Sequence, residues 1–371
     1  MSIFKILMYD KRKEKRYTLE EFSMDTKIAT THLLQMNQDE EFYRRYYQAQ
    51  KNPKSLKTFL SEQDPEVLKK RRLFVKELMP ENIPDALSDE DYFEDQLFDN
   101  IYIRKHNRYT PAFEHSHIFF EIIYVLCGQC THTVAHRTMP MKSGDLCLLP
   151  PALRHSLSVM DDDSIILNIL IRRDMVEDIF FNVLKDKTLI ASFFLGSLYQ
   201  KNYASCLLFH TGSDSELSKL LLEMYEEQMD HDEYANRILS CMLPIFFTKL
   251  IRRHQAHSEF SYAPVAEDEA LFPYLAAHYN TITLTELAGH LNYTVPYCSY
   301  YIKKQTGMTF SQLLRQIRLK KAESLLTSTN ISIHEISVRL GYHNPESFMK
   351  IFKKEYGMTP GQYRGAHSSK N

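Results

Sequence analysis

Apolar residues follow one period towards the ends of this chain and another in its middle, and the change of period divides it into parts. Up to about residue 90 the pattern is helical. Thr18-Leu19-Glu20-Glu21 opens one segment, Asp39 to Gln50 is packed with charges and tyrosines, and Leu56 to Met79 alternates apolar with basic residues. Tyr43, Tyr46 and Tyr47 share a helical face, as core or as an interface stripe, and Lys69-Lys70-Arg71-Arg72 reads as a solvated face. Pro80 to Pro84 and the acidic run Ser88 to Asp95 break the pattern, so residues 1–95 are expected to form a helical N-terminal extension.

From Asn100 to Ile171 the period becomes two. Ile101 and Ile103, Phe119 to Leu126, Leu146 to Leu149 and Ile165 to Ile171 read as short strands, separated by Gly128, Ser143-Gly144-Asp145 and Pro150-Pro151. Residues 96–172 are therefore expected as a small all-β barrel. Residues 173–254 turn helical again, over Asp174 to Leu184, Leu189 to Tyr199, Asp214 to Gln228 and Glu233 to Arg253, with a short strand at Ser205 to Phe209. Leu217, Leu220, Leu221 and Met224 make one apolar stripe and Ile238, Met242 and Ile245 another, faces suited to a core or to a partner. Residues 255–267, with Ser, Pro and His and no period, read as a linker, and 367–371 as a tail. The fold class expected is α+β multidomain, with a helical extension, a barrel with following helices, and an all-α C-terminal domain over 268–366.

That C-terminal stretch, Thr283 to Arg364, carries one helical pattern written twice. Thr283-Leu284-Thr285-Glu286 and Ser332-Ile333-His334-Glu335 both open a helix as capping boxes. Leu284, Leu287 and Leu291 match Ile333, Ile336 and Leu340 as one buried face, Ala288 and Ser337 stand where the helices cross closely, and Asn292 and Gly341 stand at the turn. Thr294 caps a second helix ending in Lys303-Lys304, and Asn344-Pro345 caps its counterpart ending in Lys353-Lys354. Gly307 and Gly357 stop them, and Thr309 to Gln312 and Thr359 to Gln362 cap the next helix of each copy. The offset is 49 residues up to the turn and 50 after it. Between the copies Ser311 to Thr327, free of Gly and Pro, makes a rod of about 26 Å. The pattern is a duplicated helix-turn-helix.

Residues 268 to 366 resemble the DNA-binding domain of the AraC family of bacterial transcription regulators. Leu340-Gly341-Tyr342, Phe348, Phe352-Lys353-Lys354, Gly357-Met358-Thr359-Pro360 and Tyr363-Arg364 carry the resemblance. It implies that each second helix enters a major groove, the two grooves being read from one face of the duplex. Helical spacing turns Cys298, Tyr301 and Ile302 inward and leaves Tyr297, Ser299, Tyr300 and Lys303 outward; in the second copy Phe348, Ile351 and Phe352 pack inward. Pro345 starts that helix, and Glu346, Met349, Lys350 and Lys353 face out. By chemical type Lys350 donates to guanine, Glu346 accepts from cytosine and Met349 touches a thymine methyl. Lys303, Lys304, Lys353 and Lys354 suit phosphates, which fix register without reading sequence. Where the family commonly carries arginine on the first reader, this chain has Tyr300, so the first helix is expected to lean on the second.

In the barrel stretch His115, His117 and Glu121 share strand parity and point to one face with Phe119, Ile123 and Val125, and Gly144 to Pro150 to His155 supplies a fourth polar group. This resembles the two sequence motifs of the cupin barrel, whose metal-binding members use three histidines and one glutamate at matching places. The departures are Tyr109 and Ala152 at the glycine positions and Val159 at the asparagine. Three imidazoles and a carboxylate suit Zn, Fe, Mn, Ni or Cu, and the same four side chains suit hydrogen bonds to a small organic effector. No cofactor is assigned outright: a transition metal in the barrel is the one candidate, ranked below the reading in which these side chains hydrogen-bond an organic effector or the barrel mouth.

Charge is unevenly divided. The net charge is −2, yet from Asp268 onward 12 basic residues stand against 7 acidic, so the basic part is the repeat. Cys127-Gly128-Gln129-Cys130 falls between strands without a partner helix or second pair, and reads as strand residues flanking a turn rather than a redox or metal pair. Charges from Lys5 to Arg16 leave no signal peptide, and no apolar run spans a bilayer, so a cytoplasmic location without membrane contact is expected. The function expected is a sequence-specific transcription regulator, more readily an activator, whose barrel senses a small molecule such as a sugar. Its partners would be promoter DNA, the effector, a second copy as a homodimer, and RNA polymerase. The rivals are a cupin enzyme with a DNA-targeting part and a ligand-independent binding module. Against the enzyme, Glu121 would be consumed as a ligand and the motifs offer no second carboxylate.

Overall fold

The computed structural model describes residues 8–10, 15–17, 27–79, 86–87, 100–134, 136–173, 176, 189–200, 203–229, 232, 234–255, 258–261 and 271–367. The predicted helix start at Thr18 to Glu21, the break at Pro80 to Pro84, the acidic run from Ser88 and most of the helix from Asp174 lie outside these residues. The chain forms two compact units, one of residues 1–175 and 204–263 and one of 176–203 and 264–371.

The first unit begins with a short antiparallel pair, β1 (Met8–Asp10) and β2 (Lys15–Tyr17), within a stretch expected to be mostly helical. Helices α1 (Lys27–Leu34), α2 (Gln38–Gln50), α3 (Pro53–Ser61) and α4 (Pro65–Lys70) come next. Their starts are chemically marked. Asn37 Oδ1 accepts from Glu40 N at 2.8 Å while Glu40 Oε2 accepts from Asn37 N at 2.9 Å, and Asn52 and Asp64 cap helices whose first residue is proline. Tyr43 and Tyr46 are core, packed with Phe42, Phe59, Leu68 and Leu73, whereas Lys69 to Arg72 are exposed.

Strands β4 (Ile101–Lys105), β6 (Phe120–Cys127), β9 (Asp145–Leu149), β11 (Ile165–Ile171), β12 (Cys206–His210) and β13 (Ser258–Ser261) form one antiparallel sheet in the order β13-β12-β9-β6-β11-β4. A second sheet, β10-β7-β8, joins β7 (Gln129–Val134), β8 (Arg137–Lys142) and β10 (His155–Ser158). A short parallel pair joins β3 (Ala86–Leu87) to β5 (Ser116–His117). Inward residues of both sheets meet in one core: Ile123 and Val125 with Cys147, Leu149, Ile166, Cys206 and Leu208 from the first, Cys130, Val134, Met141 and Leu157 from the second. This is the expected cupin-like barrel. Its β8 buries only Met141, so sequence period gives it no signal. β13 corrects the linker expected over 255–267: main-chain pairing of Phe209 with Ser258 and Cys206 with Ser261 needs no side-chain alternation.

Helices α6 (Ser215–Met229) and α7 (Ala235–His254) complete this unit. α7 buries Leu239, Leu243, Phe246, Phe247 and Leu250, whereas the Ile238/Met242/Ile245 stripe faces out, with Ile245 51% exposed.

The second unit takes α5 (Leu189–Tyr199), which the sequence sets beside residues 204–254. Apolar on nearly every side, it is buried at Ile190, Phe193, Phe194 and Leu195, and Tyr199 stacks on Phe272 of α8 (Leu271–His278) at 6.3 Å. Then come α9 (Leu284–His290), α10 (Val295–Thr306), α11 (Phe310–Ser328), α12 (Ile333–Arg339), α13 (Pro345–Tyr356) and α14 (Pro360–His367). α11, of 19 residues, is a rod of about 28 Å. The duplicated helix-turn-helix is as read, with one change. Ser332 Oγ accepts from Glu335 N, but the Glu335 carboxylate turns to Arg339 at 2.6 Å instead of closing a capping box.

Candidate functional site

The candidate reading surface lies on α10 and α13, each the second helix of its copy. Thr294 Oγ1 accepts from Tyr297 N at 3.4 Å and Asn344 Oδ1 from Glu346 N at 2.8 Å, fixing both starts. Gly307 at φ 77° and Gly357 at φ 72° end them. Asn292 at φ 55° and Gly341 at φ 79° make the two turns, and a Cβ on Gly341 would lie 1.7 Å from the Asn280 carbonyl oxygen. Cys298, Tyr301, Ile302, Phe348 and Phe352 are buried, which orients the opposite faces outward. Tyr297, Tyr300, Lys303 and Lys304 are exposed on α10, with Ser299 half-buried. Glu346, Met349, Lys350, Lys353 and Lys354 are exposed on α13, with Pro345 half-buried.

The second site lies in the barrel. His117 ends β5, Glu121 stands on β6 and His155 begins β10, and one ligand atom from each lies within 4.8 Å of the others. His117 is 1%, Glu121 4% and His155 2% exposed. His117 Nδ1 stands 2.6 Å from the Phe119 carbonyl oxygen and so carries a proton, and in the neutral ring Nε2 would turn its lone pair towards Glu121 Oε2 at 3.2 Å. His155 Nε2 stands 3.4 Å from the same oxygen. None of these three atoms makes a hydrogen bond, although all are buried. Asn168 Nδ2 donates to the other carboxylate oxygen, Oε1.

Three buried lone-pair carriers converging without a donor between them fit a cation, and two histidines with one carboxylate are a donor set for a divalent transition ion. Burial would raise the Glu121 carboxyl, but a proton donated from His117 and positive charge on the surrounding imidazoles would hold it well below the usual carboxylate range, so the carboxylate favours a positive charge in this pocket, whether a proton on a ring or a metal ion. Burial pushes His155 well below the ordinary histidine value, so its ring is neutral at neutral pH. His115 stands apart from the trio: it is half-buried, and its Nδ1 contacts the Phe113 carbonyl oxygen at 3.2 Å while its ring packs 4.5 Å from His155.

Sequence reasoning missed His132 and Asn168. His132 Nε2 lies 3.2 Å from His155 Nδ1, and burial lowers its pKa to about 4. With the donor on His155, this contact sets the tautomer that frees His155 Nε2 to ligate. The available signal was parity, since Cys130, His132 and Val134 all face the core from β7. Asn168 is the single polar residue of Ile165–Ile171 and buried there, which marks it as partnered. Cys127 and Cys130 are free thiols that burial pushes up to about 12, as inert strand residues should be. Two positions that depart from the cupin pattern keep a glycine-like backbone: Tyr109 has φ 62° and Ala152 φ 64°.

Comparison with known proteins finds a helix-turn-helix domain family matching residues 287–366 and an AraC-like ligand binding domain family matching residues 100–243. The HTH-type transcriptional activator RhaR of Enterobacter sp. (strain 638) is 27% identical over 268 residues, 68% of this chain and 86% of that protein. RhaR of Mannheimia succiniciproducens is 25% identical over 263 residues, 70% of this chain and 90% of that protein. Among solved structures, the C-terminal domain of AraT, a response regulator from Geobacillus stearothermophilus, is 39% identical over 26% of this chain and 83% of that one, with a TM-score of 0.26.

Proposed function

Because this chain belongs to the AraC family of transcription regulators, a DNA-binding regulator with a small-molecule sensing domain, we propose that it activates transcription when an effector, a sugar being our candidate, occupies the barrel. The observation that carries the reading is the pair of capped helices α10 and α13, each ending in exposed lysines and each turning its unburied face to solvent. Lys350, Glu346 and Met349 read bases, and Lys303, Lys304, Lys353 and Lys354 hold phosphates. The relatives' description as transcriptional activators supports the sign of regulation and RNA polymerase as the further partner. The outward stripe of Ile238 and Ile245 on α7 supports a homodimer. Among the described residues no helix is long and apolar enough to cross a membrane.

In the barrel, His117, Glu121 and His155 would hold a divalent transition ion, with His132 orienting His155 and His115 outside the ligand set. Such an ion would supply a Lewis-acidic anchor for effector oxygens. A sensing role is supported by Glu121, whose oxygens face Asn168 and two imidazoles and so are engaged in holding the site. Coupling to DNA requires that the effector bind one arrangement of the protein better than another. The test is binding of the full chain to duplex DNA over a salt series. Affinity should fall linearly in log-log form with the slope of several released counterions, and a flat salt response would sink the reading.

A further inference from the structure

The two reading helices are built alike at their anchoring ends and unlike where bases are read. Given the offset of 50 residues, Lys303 and Lys304 correspond to Lys353 and Lys354, but Tyr300 stands where the second copy has Lys350, and Pro296 where it has Glu346. Through Val295 to Ile302 the first helix carries no charged side chain and no Asn or Gln. What it turns to solvent is mostly aromatic and aliphatic carbon, with the tyrosine hydroxyls its polar groups: Val295 is 37%, Tyr297 44% and Tyr300 61% exposed. The Tyr297 ring is held in place. Tyr297 meets Tyr293 edge-on at 4.6 Å and lies over the buried Tyr301 at 6.3 Å, with Tyr300 6.3 Å from it on the outer side. A ring so fixed loses little freedom on binding.

Resting on the DNA-binding reading above, we propose that α10 recognises its half-site through thymine methyl groups, packed against the faces of Tyr297 and Tyr300, while α13 reads its own half-site by charge and hydrogen bonds. In the major groove the thymine C5-methyl is the base feature that an apolar surface can select, and the bidentate side-chain pairings that read guanine and adenine have no group to make them in the first two turns of α10. The lysine pair at its end holds the helix in the groove regardless of sequence. The protein thus takes an asymmetric site, with a thymine-bearing half and a half of mixed composition.

The test uses the full chain and a random duplex library to obtain the bound sequence, then the selected duplex with deoxyuridine replacing thymine one position at a time. One half-site should contain thymines whose replacement weakens binding about fourfold per methyl, the factor that one buried methylene of about 0.8 kcal/mol gives. Replacement in the other half should change little. Tyr300→Ala should bring the thymine-to-uracil ratio at its position close to one, Tyr300→Phe should keep it, and Lys304→Ala should weaken both duplexes equally. A specific site insensitive to deoxyuridine, or Tyr300→Phe losing as much as Tyr300→Ala, would overturn this inference and leave the regulator reading standing. A library yielding no preferred sequence would overturn both.

Discussion

The Ala152 backbone N–H donates to the His117 carbonyl oxygen across 2.7 Å, and so ties the turn that leads into His155 to the strand that bears His117. Two segments that bear candidate ligands, far apart in sequence, are held together by a residue with φ 64°, in the left-handed region where a Cβ is strained.

Ala152→Gly is therefore expected to stabilise the first unit. Relief of left-handed strain contributes about 1–2 kcal/mol, and the freer unfolded chain gives back about 0.4–1. A net gain of up to about 1.6 kcal/mol should appear in urea unfolding. Ala152→Pro removes the N–H and cannot take that backbone, so it should cost about 3 kcal/mol or more. A glycine variant less stable than the parent would show that the turn is not strained.

The trio of His117, Glu121 and His155 is expected to bind one divalent transition ion per chain, measured by equilibrium dialysis with elemental analysis. Glu121→Gln and His117→Ala should abolish binding. His132→Ala, which acts only through His155, should weaken it about 10–100-fold. His115→Ala should leave it close to wild type. Metal binding that survives Glu121→Gln would remove the site.

Glu40 anchors the N-terminal helices to the barrel. Its carboxylate is fully buried and meets Lys105 Nζ at 2.6 Å and Arg108 Nε at 2.8 Å, and Lys105 Nζ also reaches the Leu33 and Gln35 carbonyl oxygens. Glu40→Gln strands two buried cations and should cost about 3–5 kcal/mol, with faster amide exchange over residues 38–50. Burial pushes the Glu40 carboxyl up, but the hydrogen bonds from Arg108 and Lys105 outweigh it and the pKa is lowered. A depressed carboxyl stabilises fully above its unfolded value of about 4.3 and loses that contribution as pH falls through the folded one. The stability gap between the parent and Glu40→Gln should thus shrink below about pH 4, and a gap constant from pH 7 to 3 would contradict the assignment.

This clamp shows where sequence reading stopped. Asp39 to Gln50 was legible as a helix, but nothing in its period says that Glu40 serves both a capping box and two distant cations. The C-terminal repeat was legible because caps, turns and stripes are local and written twice. The barrel was legible where strands alternate or run apolar. It was not legible at β8, which buries one side chain, or at β13, whose place depends on an open sheet edge. His117, Glu121 and His155 were found by motif spacing, whereas His132 comes from a strand that pairs with β10 through tertiary contact. His115 shares the parity of His117 yet falls outside the trio, which parity alone could not tell.

Gly341 and Gly289 should respond oppositely to alanine. At Gly341 positive φ and the Asn280 carbonyl oxygen leave no room for a Cβ, so Gly341→Ala should destabilise the second helix-turn-helix and lower affinity for DNA. At Gly289, within α9, no atom lies within 4 Å of the added carbon, and alanine should add about 0.5–1 kcal/mol. Thermal unfolding of both variants checks the pair, and equal effects would refute it.

Lys350 and Lys304 are both exposed lysines on reading helices, and they should fail differently. Lys350 stands in the second turn of α13, beside Met349 and Glu346, where on the proposed docking a side chain would reach base edges. Lys350→Ala is expected to cost about 1–3 kcal/mol on the specific duplex, much less on random DNA, and to relax preference at one base pair. Lys304 lies in the last turn of α10, where a phosphate is the nearer target. Lys304→Ala should weaken specific and random duplexes alike and reduce the log-log salt slope by about 1. Fluorescence anisotropy on both duplexes across a salt series separates the cases. If the two variants lose equal affinity on specific and on random DNA, Lys350 holds a phosphate and the division of labour along these helices is wrong.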